Sequence, residues 1–124
     1  MKQIIAWVDT AERKAINAAN KNNVSVIFTR NKNDFVEYLN SNAFPIISIK
    51  KAKRINSIRK IVRSFPNLKF YVLTRLDDKP TTPNELSLIV DEPNISNSDG
   101  SRSQYLASEI FSLFEAQHIT QQNS

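Results

Sequence analysis

The sequence predicts an α/β fold: a five-stranded parallel sheet, doubly wound, with helices on both faces. Three observations carry this. Short apolar runs of four to six residues recur along the chain, rich in Ile and Val. They alternate with segments whose apolar residues return at helical spacing. The runs are apolar throughout rather than alternating with polar residues, as strands covered on both faces are. Right-handed crossovers between such strands give an open sheet. Its functional crevice then lies at the carboxyl ends of the strands.

Each element follows from local residues. Residues 4–8 form the first buried strand. Asp9 or Thr10 caps the next helix, and Glu12 suits its first turn. Ala11, Ala15, Ile16 and Ala19 give that helix an apolar stripe. Residues 24–29 are a β-branched strand, and 34–39 a short helix with Phe35, Val36 and Leu39 on one face. Residues 45–49 form the third strand, with Pro45 at its first position, where proline is tolerated. A helix over 51–65 places Ile55, Ile58, Ile61, Val62 and Phe65 on one side, and Pro66-Asn67 stops it. Residues 69–74 are the fourth strand. The stretch 76–85, with Pro80 and Pro83, is a loop, and 86–90 the fifth strand. After a polar loop over 93–101, Ser101 or Ser103 caps a last helix striped by Leu106, Ile110, Leu113 and Gln117. Residues 1–118 thus read as one domain and 119–124 as a polar tail.

Composition narrows the function. The chain has 124 residues, 40% of them hydrophobic, which suits one packed domain. No apolar run approaches the roughly 18 residues of a membrane span. The first nine residues turn acidic too soon for a signal peptide, so a cytoplasmic location is expected. There is no cysteine for a thiolate nucleophile or a zinc site. One glycine, Gly100, rules out glycine-rich phosphate loops. His118 is the only histidine; it is assigned to the end of the last helix, where the helix dipole favours it, and no catalytic role is expected. Asp77-Asp78 and Asp91-Glu92 are adjacent pairs, a poor arrangement for an acid/base dyad. Trp7 reads as core. Asn23-Val24-Ser25 and Asn94-Ile95-Ser96 match a glycosylation pattern that carries no meaning in the cytoplasm. No cofactor and no metal is expected.

The residues at the expected carboxyl ends are Asp9 and Thr10, Thr29 and Arg30, Ile49 and Lys50, Thr74 and Arg75, then Asp91, Glu92 and Pro93. With this strand order, residues 2–118 resemble the receiver domain of bacterial response regulators. The resemblance implies a flavodoxin-like sheet. It places a magnesium-binding acidic pair after the first strand, where this chain has Val8-Asp9 or Asp9-Thr10. It places a phosphate-accepting aspartate after the third strand, where Ile49 or Lys50 stands. The family's Thr or Ser after the fourth strand matches Thr74, and its Lys-Pro after the fifth becomes Glu92-Pro93. Magnesium favours several oxygen ligands, and one acid of the pair is missing. The stretch between Thr74 and Glu92 is too short and proline-rich for a full fourth helix, which is shortened or lost. The resemblance therefore implies a pseudo-receiver with a degenerate pocket of Asp9, Thr10, Lys50, Thr74 and Glu92. Lys50 either points inward to pair with Asp9 or Glu92, or is solvated at the start of the basic helix; buried pairs are costly.

Charge is segregated. Residues 50–76 hold nine Lys/Arg and no acid, whereas 77–124 hold two Lys/Arg and eight acids. On the helix over 51–65, Lys53, Arg59, Lys60 and Arg63 lie opposite the isoleucine stripe at about 100° per residue. This face is either a solvated helix side or a surface for an anion: an acidic protein, an acidic lipid or a nucleic acid. Phe111 and Phe114 with Tyr105 extend the last helix's apolar surface, an arrangement more often core; Tyr105 and Phe111 fall off the stripe and are offered as a contact surface, in a dimer or with a protein partner. The function expected is non-catalytic: a phosphorylation-independent module for protein–protein interaction or self-association in signalling or regulation. The alternative is a nucleic-acid-associated regulator binding through 51–63. A third class, a small-ligand binder, would use Asp9, Thr74 and Glu92.

Overall fold

The computed structural model describes residues 2–48, 55–73, 94–95 and 105–123, without the side chains of 55–57 and 118–123. Its elements in chain order are β1 (Gln3–Trp7), α1 (Thr10–Ala19), β2 (Val26–Phe28), α2 (Lys32–Glu37), β3 (Ala43–Ser48), α3 (Ile55–Ser64), β4 (Tyr71–Leu73) and α4 (Ala107–Asn123). The four strands form one parallel sheet in the order β2-β1-β3-β4. The expected fifth strand, 86–90, lies outside the described residues.

Two apolar layers hold the sheet. On one face Phe35 of α2 and Ile58, Ile61 and Val62 of α3 pack on Ile5, Trp7, Ile47 and Val72. On the other, Ile16 of α1 and Ile110, Phe111 and Phe114 of α4 pack on Ile4, Ala6, Phe44, Ile46 and Tyr71. The sheet is doubly wound because β1 and β3 are apolar on both sides; every residue of β3 is buried. Trp7 is core, as expected, and stacks on Phe35 with centroids 5.7 Å apart. Each such large apolar side chain contributes about 1.5–3 kcal/mol by leaving water.

Several boundaries differ from the sequence expectation. β3 starts at Ala43, so Pro45 is its third residue. There β3 pairs with β1 alone, since β3–β4 pairing begins at Ile46, and a locally unpaired edge tolerates proline. α4 begins at Ala107 rather than after Ser101 or Ser103, and it runs through the expected tail to Asn123. No proline or glycine follows Phe114 to stop it. His118 therefore sits inside the helix, not at its end. The buried side of α4 is Ile110, Phe111 and Phe114, with Leu113 partly buried at its margin. Tyr105 precedes the helix; its N–H donates to Val72 O at 3.0 Å. Both residues expected on a contact surface are thus core: Tyr105 and Phe111 are each 5% exposed. Of the 106-110-113-117 stripe only Ile110 is fully buried, and Phe111 and Phe114 complete the covered side.

The edge of β4 away from β3 carries two parallel bridges, Phe70 to Ile95 and Leu73 to Tyr105. Asn94 anchors the first. Its Nδ2 donates to the carbonyls of Val62, Phe65 and Leu68 at 2.9, 3.0 and 3.1 Å, closing the end of α3. Its own carbonyl accepts from Phe70 N–H at 2.8 Å.

Candidate functional site

The carboxyl end of the sheet is built around the turn from β1 into α1. Val8 is buried, and the chain leaves the sheet at Asp9 in an extended conformation (φ −86°, ψ 179°). Asp9 is the N-cap of α1. Its Oδ1 accepts from Glu12 N–H at 2.9 Å, and its own N–H donates to Glu12 Oε1 at 3.1 Å. This reciprocal pair is a capping box, which satisfies two backbone donors at once. Thr10 is the exposed first residue of the helix.

Glu12 lies deeper than its place in a first helical turn implies. It is 4% exposed, and Ser48, at the end of β3 and fully buried, hydrogen-bonds to it. Burial pushes the Glu12 carboxyl above its ordinary value; the bonds from the Asp9 backbone and Ser48 pull the other way, and the Asp9 charge adds to the rise. Thr29, at the end of β2, is buried too. Its hydroxyl donates to Ala6 O at 3.0 Å and its N–H to the same carbonyl at 2.9 Å. Arg30 turns outward and pairs with Asp34 at 3.8 Å. Three polar side chains of this end are thus committed to bonds within the fold: Asp9 to Glu12, Glu12 to Ser48, Thr29 to β1.

The sequence places Asp9, Thr10 and Thr29 at the strand ends, and the structure gathers them there. Lys50, Thr74 and Glu92 lie outside the described residues, so an inward Lys50 ion pair does too. Asn94 and Ile95, which follow Glu92-Pro93 in the chain, meet the start of β4. That is the end of the sheet opposite the one at which the resemblance puts Glu92. Among the described residues no three His, Cys, Asp or Glu side chains gather as a metal site would require. Glu12 and Ser48 were not singled out as site residues by the sequence. The Asp9-x-x-Glu12 spacing signals a capping box, but nothing local signals that the second acid is buried.

The second candidate region is α3. Ile58, Ile61 and Val62 are buried, which fixes the rotation of the helix. Lys60 and Arg63 are exposed on the other side, Arg59 is half-buried, and Lys69 is exposed just before β4. Lys53 and the asparagine-free basic stretch 50–54 lie outside the described residues. No described helix is long and apolar enough to cross a membrane. No family model, no curated protein and no solved structure matches the chain.

Proposed function

We propose that the chain is a non-catalytic, phosphorylation-independent module with a receiver-like, flavodoxin-like fold, acting in signalling or regulation by holding a partner. The observation that carries this reading is the mutual capping of Asp9 and Glu12. In a receiver, the acid after the first strand must be available to magnesium. Here its carboxylate accepts the Glu12 N–H, and its neighbour in the box is buried. No carboxylate stands in residues 43–50 to accept a phosphoryl group. The sheet order 2-1-3-4 supports the fold part of the reading, since it forms the first four positions of the flavodoxin-like order 2-1-3-4-5. The fifth position lies beyond β4, where Ile95 and Tyr105 make parallel bridges.

The test is incubation with magnesium and acetyl phosphate, read by intact mass and by thermal melting. The expected result is unchanged mass and an unchanged melting temperature. A stable phosphoryl adduct, or marked stabilisation by magnesium alone, would contradict the reading.

A further inference from the structure

We propose that the outer side of α3 binds the phosphate backbone of nucleic acid without reading its sequence. This rests on the reading of the chain as a binding module and names the chemistry of its partner. The first ground is charge. Residues 50–76 hold nine Lys/Arg and no acid, so no cation of α3 has an acid one turn away on its own helix. The second is orientation. With Ile58, Ile61 and Val62 buried, Lys60 and Arg63 project into water about one turn apart, and Lys69 is exposed beyond the following turn.

The third ground separates nucleic acid from an acidic protein. Protein interfaces are anchored by aromatic and apolar side chains at their centre and are depleted in lysine. The outer side of α3 offers no such anchor among the described residues: Phe65 is half-buried against the core and Leu68 is buried. Among the described residues the exposed large hydrophobic is Tyr38, at the end of α2. A polyphosphate needs no anchor, because its affinity comes from released counterions. Phe70 and Tyr71, the next aromatics along the chain after Phe65, are buried and unable to stack on bases. Contacts limited to cations on phosphates fix position but carry no sequence information. The helix dipole accounts for Arg63 in the last turn; it does not account for Lys60 or Lys69.

The experiment is fluorescence anisotropy with labelled duplex DNA, single-stranded DNA and RNA of unrelated sequences, at low and physiological salt, with polyglutamate as a protein-like polyanion. Two variants carry the same change in net charge: Lys60→Glu/Arg63→Glu on α3, and Lys14→Glu/Lys21→Glu, exposed on and just after α1. Circular dichroism melts report whether each folds. The expected result is binding to all sequences alike, weakening with salt. The α3 variant should lose about tenfold or more in affinity at low salt, and its salt slope should flatten by about 0.9 per lost phosphate contact. The α1 variant should retain most of the affinity. Equal losses in both variants would overturn the proposal, since net charge alone would then explain binding. Binding to polyglutamate but not to nucleic acid would also overturn it, while leaving the binding-module reading intact. Binding to neither removes α3 as the contact surface; the phosphoryl test above judges the module reading separately.

Discussion

The carboxyl end of the sheet and the outer side of α3 are both polar, and they are polar for opposite reasons. At the carboxyl end Asp9, Glu12, Thr29 and Ser48 are bonded within the fold. Asp9 and Glu12 cap one helix together, Thr29 bonds back to Ala6, and Ser48 is buried against Glu12. On α3 the charged side chains of Lys60 and Arg63 turn outward while the apolar side is buried. The position of a residue in a fold does not decide its role; where its hydrogen bonds and charge are directed does. The described strand ends of this parallel sheet hold structural bonds, and the exposed cations Lys60 and Arg63 lie on a covering helix.

Substitutions at the two regions should therefore separate stability from binding. The largest stability loss is expected for Asn94→Ala, beneath the end of α3 and away from the carboxyl end of the sheet. It strips a shared donor from three carbonyls at the end of α3 and should cost about 2–3 kcal/mol, measured by urea denaturation. Asp9→Ala removes an N-cap and should cost about 1 kcal/mol. A much larger loss there would mean that Asp9 also holds something other than Glu12 and the helix start.

Glu12→Gln should act with a pH dependence. The folded protein holds the Glu12 proton more tightly than the unfolded chain, whose ordinary value is 4.5. The contribution of Glu12 to stability is thus fully present below that value and is lost as pH rises through the raised folded value. Gln keeps the acceptor of the capping box and does not titrate. Urea denaturation should therefore show the variant gaining on the natural protein from acid to neutral pH. A gap that shrinks or reverses would reveal a cation near Glu12 and break the view that this end is closed upon itself. The smallest stability effect belongs to Lys60→Glu/Arg63→Glu, expected within about 0.5 kcal/mol, as is usual for exposed positions.

The parallel, doubly wound arrangement is legible in the sequence because apolar runs such as 4–8 and 45–49 need cover on both faces. The capping of α1 is legible because Asp9 and Glu12 have the spacing the box requires. Other features depend on tertiary packing. Tyr105 and Phe111 look surplus to a helical stripe through Leu106 and Leu113, yet they fill the space over Phe44, Tyr71 and Leu73. Glu12 is buried by the approach of Ser48, thirty-six positions along the chain, which no local pattern announces. Asn94 sits in a stretch that looks like a glycosylation signal; its amide is committed to α3, a contact set by where the chain passes β4. The α4 end at Asn123 was hidden by polar residues, which a helix carries readily on its exposed side.

The most direct measurement is a two-dimensional amide NMR titration of the isotope-labelled protein, first with magnesium and beryllofluoride as a phosphoryl mimic, then with a short duplex DNA. The expected result is no specific shift at Asp9, Thr10, Thr29 or Ser48 in the first titration. In the second, salt-sensitive shifts should be concentrated at Arg59, Lys60, Arg63 and Lys69. Shifts that cluster at the carboxyl end with the mimic, while α3 stays silent with DNA, would contradict the contrast between a closed crevice and an open basic helix.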